Sequence, residues 1–220
     1  MIEHVFERAC AAKTLSTVRV ATDDERIAEA CRGFGAVVAM TSPNHPTGTD
    51  RLAEACQDLD CEIVVNIQGD EPLIDPSLID RCVEALSEDP EAPMATLVHP
   101  AGPEAGADPN RVKAVVDARG RALYFSRSPI PAWRGEAASQ PKAPFLQHIG
   151  LYAYRREFLL EFVGLPQTPL ERSESLEQLR ALENGYAIRA VVVEGWESLA
   201  VDVPADIAMV EARLRQEANR

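Results

Sequence analysis

Apolar residues along the first ninety positions switch between helical and strand spacing. Ile2, Val5, Phe6 and Ala9 recur at helical spacing, so the chain opens on a helix over 1–12. That is unusual for an alternating α/β chain, where a strand normally comes first. Val18 to Thr22 reads as a short strand. Thr22-Asp23-Asp24-Glu25 reads as a capping box into a helix with Ile27, Ala30, Cys31 and Phe34 inward, closed by Gly33 or Gly35. Ala36 to Met40 is the next strand. A hydroxyl-rich loop, Thr41 to Arg51, leads into a further helix, with Thr49 or Asp50 as the expected N-cap. The strand Ile63-Val64-Val65-Asn66-Ile67 follows, and Asp75-Pro76 starts another helix. Such alternation predicts βαβ units and a parallel sheet.

Beyond residue 90 the rhythm changes. Met94 to His99 is a strand. Val112 to Val116 and Ala122 to Phe125 read as a strand pair joined at Asp117-Ala118-Arg119-Gly120. Ser128 to Phe145 carries four prolines, and irregular segments of that length serve as lids, binding segments or dimer arms. In the next strand His148, Gly150, Tyr152 and Tyr154 share one face. A lone histidine there is more often structural than catalytic. One helix is expected from Thr168 to Asn184, with Leu176, Leu179 and Leu182 buried and Glu177 and Gln178 on a solvated face. Ala187 to Val193 is a strand and Ser198 to Asp202 is extended. The last helix turns Ile207, Val210 and Leu214 inward.

Composition narrows the partners. The chain has 220 residues, a net charge of −13 and three lysines, Lys13, Lys113 and Lys142. Length suits one domain over 1–220, and no linker or repeat divides it. So acidic a chain is a poor generic binder of nucleic acid or of an anionic membrane surface. An anionic substrate must be met by local arginines or a metal. Five scattered cysteines show no zinc spacing and fit a reduced, cytoplasmic setting. No signal peptide or long apolar run argues for export or membrane insertion.

Candidate chemistry gathers at Gln68-Gly69-Asp70-Glu71-Pro72, just past a strand's carboxyl end, where open α/β sheets bind ligands. A hard cation such as Mg²⁺ takes one or two carboxylates plus substrate phosphates, which Asp70 suits. An ordinary polar strand end explains the same residues about as well. Gly48, Thr49 and Arg51 lie near a helix N-terminus, a natural anion site, although a plain proline-rich turn also accounts for them. Asp202 is a second carboxylate at a helix start, and its spacing alone does not join it to Asp70.

Seven blocks occur in order: Val20-Ala21-Thr22-Asp23; His45-Pro46-Thr47-Gly48-Thr49-Asp50-Arg51; Val65-Asn66-Ile67-Gln68-Gly69-Asp70-Glu71-Pro72; Ala122-Leu123-Tyr124-Phe125-Ser126-Arg127; His148-Ile149-Gly150-Leu151-Tyr152; Leu176-Glu177-Gln178-Leu179-Arg180; and Val201-Asp202. This ordered set resembles the 3-deoxy-manno-octulosonate cytidylyltransferases, the CMP-Kdo synthetases of Gram-negative bacteria. The resemblance implies an α/β nucleotide-diphospho-sugar-transferase-like, Rossmann-like three-layer sandwich with a mixed, mainly parallel sheet. It implies transfer of CMP from CTP to Kdo, with release of pyrophosphate, for lipopolysaccharide synthesis. It also implies a homodimer, with 128–147 as the candidate dimer or lid segment. Asp70 and Asp202 would hold Mg²⁺. Gln68, Arg127, His148, Tyr152, Glu177 and Gln178 would surround the sugar acid. Gly48, Thr49, Arg51 and Asp70 would meet the nucleotide. Another sugar acid, such as 8-amino-Kdo or a sialic-acid-like substrate, fits the same residues, as does a non-catalytic sugar-binding domain.

The departures are also specific. Family members open with a strand and an Arg/Lys-rich phosphate loop, and here Met1-Ile2 falls where that lead-in ends. Either the protein is longer than the sequence in hand, or the short chain is impaired. A strand missing from the sheet interior should leave both neighbours unpaired and expose apolar helix faces. Ala200-Val201-Asp202-Val203-Pro204 also places valine where a capping threonine is usual.

Overall fold

A computed structural model describes residues 1–132, 144–196, 201 and 203–218. The chain opens on helix α1 (Ile2–Cys10) and strand β1 (Arg19–Thr22), followed by α2 (Glu25–Gly33) and β2 (Val37–Met40). Next come α3 (Gly48–Ala55), β3 (Ile63–Asn66), α4 (Pro76–Glu88), β4 (Met94–Ala101) and α5 (Pro103–Ala107). The hairpin β5 (Lys113–Val116) and β6 (Ala122–Ser126) precedes the long β7 (Phe145–Arg155). The chain then runs through α6 (Arg156–Phe162), α7 (Pro169–Glu174), α8 (Leu179–Glu183), β8 (Ile188–Val192) and α9 (Pro204–Ala218).

β7 is the hub. β4 runs antiparallel along one edge. On the other edge β3 pairs with its second half and β5 with its first. β6 joins β5 antiparallel and β8 joins β4 parallel, which makes a six-stranded mixed sheet. Its two faces follow from strand alternation. Ile149, Leu151 and Ala153 of β7 enter one core with Ile79, Leu86 and Leu97. Tyr154, with Tyr152 packed beside it, enters the other with Val98, Phe125 and Phe158. α4 packs on the first face, and α3, α6 and α8 lie on the second. His148, Tyr152 and Thr96 occupy the second face.

β1 and β2 form a separate parallel pair. Among the described residues, β1 has no partner on its far edge and neither has β3. A cleft of about 160 Å³ lies between them, lined by Val18, Ala21, Leu52, Cys56, Val64 and Val65, among others. Ile27 of α2 is 45% exposed.

Several local expectations are corrected. The cap of α2 is Asp24, which accepts from the Arg26 amide, while the Thr22 hydroxyl accepts from the Asp24 amide. Starting the helix at Glu25 turns Ala28 and Cys31 inward and Ile27 and Ala30 outward. Thr47, not Thr49 or Asp50, caps α3, because its hydroxyl accepts from the Asp50 amide. The single helix expected over 168–184 is two. Ser175 adopts a left-handed conformation (φ 53°) and breaks it. Among the described side chains of α9, Val210 alone is buried, Leu214 is half-buried and Ile207 is exposed. The parallel sheet expected of the first half is present in the β1–β2 pair but does not extend to β3, which among the described residues pairs with the antiparallel β7.

Candidate active site

The site is built on the α3/α6/α8 face of the sheet. β3 delivers Asn66 opposite Tyr152 of β7, and the chain then turns through Gln68, Gly69 and Asp70. Gln68 lies over Gly150: a Cβ at Gly150 would sit 3.6 Å from Gln68 Cγ. Asp70 is half-buried in the turn. The Val201 amide donates to the Asp70 carbonyl at 2.9 Å, so the chain returns to this turn just before the last helix. Asp202 lies outside the described residues, as do 133–143 of the proline-rich segment. No cluster of three or more acidic, His or Cys ligands forms among the described residues.

His148 is held in one tautomer. Its Nε2 is 2.9 Å from Thr96 Oγ1, and that hydroxyl lies 2.8 Å from the Leu151 carbonyl. The carbonyl only accepts, so the hydroxyl proton goes to it and His148 Nε2–H donates to the hydroxyl oxygen. Nδ1 is left as an acceptor. Burial pushes the His148 pKa down to about 3, so the ring is neutral at physiological pH. Phe125 meets it edge-on at 5.3 Å and Tyr152 lies tilted at 5.2 Å. Burial also pushes the Tyr152 and Tyr154 phenols far above their ordinary values, so both remain neutral donors.

Arg127 follows β6 on the same face as Phe125. Its Nε donates to the Glu174 carbonyl at 2.8 Å, Nη1 to the Pro109 carbonyl at 3.2 Å and Nη2 to the Ser175 carbonyl at 3.4 Å. The helix break at Ser175 thus has a long-range counterpart: it turns two carbonyls, at 174 and 175, toward the guanidinium. Three of five guanidinium N–H groups are engaged, leaving one on each terminal nitrogen for a two-pronged contact.

The turn between α7 and α8 carries Glu177 and Gln178, which are not on a solvated helix face. Gln178 is buried. Glu177 accepts from Thr47 Oγ1 at 3.1 Å and Thr49 Oγ1 at 2.7 Å. Behind it Arg180 binds Glu171 through two contacts, 2.9 and 2.5 Å, with both side chains about 5% exposed. Burial opposes the charge on Glu171, yet the bonds from Arg180 and the Thr168 amide hold its carboxyl below the ordinary range. Arg51, in the first turns of α3, binds Asp23 at 2.9 Å and Thr41 Oγ1 at 2.7 Å, joining two of the sequence blocks. A Cβ at Gly48 would meet no protein atom within 4 Å, so open space adjoins this helix start.

The fold therefore gathers Gln68, His148 and Tyr152 on one sheet face. It also ties Thr49 directly to Glu177. Sequence reasoning missed Thr96, Glu174 and Lys113. The signal for Lys113 was a lysine inside the apolar run Val112 to Val116; Thr96 and Glu174 gave none, because they act through strands and helices remote in sequence.

Comparison with known proteins bears on this arrangement. The family model described as cytidylyltransferase matches residues 1–193. The chain belongs to the cytidylyltransferase family. Among curated relatives, a 3-deoxy-manno-octulosonate cytidylyltransferase of Syntrophotalea carbinolica is 54% identical across 98% of this chain and 88% of its own length. One from Geobacter sulfurreducens is 49% identical across 98% and 89%. A solved structure of CMP:2-keto-3-deoxy-manno-octonic acid synthetase complexed with CTP superposes with TM-score 0.90 at 42% identity, covering 98% of this chain and 88% of that one. A 4-diphosphocytidyl-2C-methyl-D-erythritol synthase from Anaerococcus prevotii matches at TM-score 0.63 and 13% identity, covering 97% and 88%, a likeness of fold alone. The mixed α/β nucleotidyltransferase fold expected from sequence is thereby established.

Proposed function

We propose that this cytidylyltransferase transfers CMP from CTP to 3-deoxy-manno-octulosonate (Kdo), releasing pyrophosphate and forming CMP-Kdo for lipopolysaccharide synthesis. The single observation that carries the reading is the likeness, over nearly the whole chain, to relatives bearing that name at 54% and 49% identity. In the reaction the anomeric hydroxyl oxygen bonds to the α-phosphorus and loses its proton. The bond from the α-phosphorus to the bridging oxygen of pyrophosphate breaks.

Each residue has a chemical task in this reading. Arg127 receives the sugar-acid carboxylate on its two unused N–H groups. Gln68 and Gln178 meet sugar hydroxyls. Neutral His148 offers Nδ1 as an acceptor to a hydroxyl, a task for which a cation would be wrong. Tyr152 closes the pocket beside it. Gly48 gives the nucleotide room at the start of α3, and Thr49 sets the position of Glu177. Arg51 braces that helix against Asp23. Positioning and charge stabilisation account for most of the rate in such transfers.

Asp70 and Asp202 would hold Mg²⁺. The donor set fits: a half-buried carboxylate at a strand end, with substrate phosphates completing the shell. When bound, the ion supplies charge neutralisation and polarisation of the α-phosphate. We further read residues 1–220 as one catalytic domain in a cytoplasmic homodimer, with 128–147 at the contact. No described helix is long and apolar enough to cross a membrane. Light scattering checks the dimer, and a monomer removes it. Pyrophosphate release from CTP, Kdo and Mg²⁺, beside a panel of other sugar acids, checks the activity. A folded chain that turns over a different acid, or none, overturns the assignment to Kdo.

A further inference from the structure

Lys113 is the residue whose burial the reading above leaves unexplained. It stands second in the apolar run Val112-Lys113-Ala114-Val115-Val116 and its relative exposure is 0%. Its ammonium donates to the main-chain carbonyl of Asp108 at 2.7 Å and to that of Arg127 at 2.5 Å. No carboxylate oxygen is among these acceptors. Burying an ammonium whose hydrogen bonds go to carbonyls is costly, and burial pushes its pKa below the ordinary lysine value although the nearby Asp108 and Glu174 carboxylates partly offset it. A methionine of similar length would fill the space without that cost, so packing does not account for the lysine.

What the ammonium does is visible at Arg127. In the β5–β6 register Lys113 lies opposite Ser126. The Arg127 carbonyl is taken by Lys113, and the Arg127 amide donates to Glu174 Oε2 at 2.9 Å. Ser126 Oγ donates to the other oxygen of Glu174 at 2.6 Å. Both main-chain polar groups of Arg127 are thus gripped by side chains, one buried cation and one carboxylate, where the strand ladder has ended. Glu174 also presents its carbonyl to Arg127 Nε.

We propose that Lys113 is a positioning residue for Arg127: its buried ammonium fixes the Arg127 main chain so that the guanidinium stands ready for the substrate's carboxylate. The inference rests on Arg127 being the carboxylate-binding residue. The test begins there. In Arg127→Ala, affinity for Kdo measured by calorimetry should fall while affinity for CTP stays. If Arg127→Ala binds Kdo normally, the role of Arg127 itself is wrong, and Lys113 has nothing to position. With Arg127 upheld, Lys113→Met should keep the melting temperature and CTP affinity. It should lower Kdo affinity by about 10- to 100-fold, and lower it no further in an Arg127→Ala background. A folded Lys113→Met with unchanged Kdo affinity overturns the proposal, because a purely structural lysine would behave that way. If Lys113→Met does not fold, the wild-type chain carries the test. With only three lysines in the sequence, the shielded ¹⁵N-ammonium signal of Lys113 can be assigned. It should shift when Kdo is added and stay in place with CTP alone; a signal indifferent to Kdo overturns the proposal.

Discussion

Thr49 Oγ1 donates to Glu177 Oε2 across 2.7 Å, joining the first turn of α3 to the turn between α7 and α8. Thr47 donates to the same carboxylate, and Thr49 also bonds the Tyr154 phenol. The two halves of the candidate site, one assigned to nucleotide and one to sugar, therefore share a carboxylate. Thr49→Val leaves Glu177 short of a donor in a half-buried place, at a cost of about 1–3 kcal/mol. Urea denaturation checks that cost. Glu177→Gln should weaken both substrates, and a double-mutant cycle with Thr49→Val should be strongly non-additive. Additive losses would show that the contact couples nothing.

The Arg180–Glu171 pair is the energetic anchor behind that carboxylate. Removing one partner strands the other, so Arg180→Met should cost about 3–5 kcal/mol. The double variant Arg180→Met/Glu171→Leu should recover much of the loss, because no buried charge then remains. Chemical denaturation of the three variants decides it.

Neutral His148 makes a pH prediction with a definite sign. Its folded pKa, about 3, lies below the ordinary 6.5, so the unfolded chain binds a proton that the folded chain does not. Stability must then fall as pH drops from about 6.5 toward 3, by up to roughly 1.4 kcal/mol per pH unit from this group. His148→Asn should flatten the stability curve in that window relative to wild type. Parallel curves for the two proteins would mean that the ring protonates freely in the folded state.

Asp70→Asn should reduce turnover by about 10²- to 10³-fold with the circular dichroism spectrum unchanged. The same loss is expected of Asp202→Asn if both hold the metal. Excess Mg²⁺ should rescue neither fully. Retained activity in a folded variant would remove that carboxylate from the metal site.

The cleft between β1 and β3 makes a prediction about dynamics. A lone two-stranded pair is marginal, and edge amides without partners exchange with solvent. Amides of Arg19 to Thr22 and Val37 to Met40 should exchange far faster than those of β4 and β7. Equal protection in both sheets would mean that the cleft is closed in solution.

Much of this protein was legible from the chain alone. Helical spacing at Ile2, Val5 and Phe6, the cap at Asp75-Pro76 and the hairpin at Asp117 to Gly120 are local signals, set by residues within a turn of one another. The ordered blocks around Asp70, Arg127 and His148 likewise carried the family, because their order and residue types together resemble its members although no single block states the chemistry. What sequence could not decide was long-range. Nothing local says that β3 pairs with β7, since an apolar run suits either partner. Nor does any local rule break the helix at Ser175. That break follows from Arg127, 48 residues earlier, drawing two carbonyls to its guanidinium. The neutral charge of His148, the burial of Gln178 and the grip of Lys113 on Arg127 are of the same kind. A titrating group's environment, and a buried donor's acceptor, come from strands and turns that only the folded chain brings together.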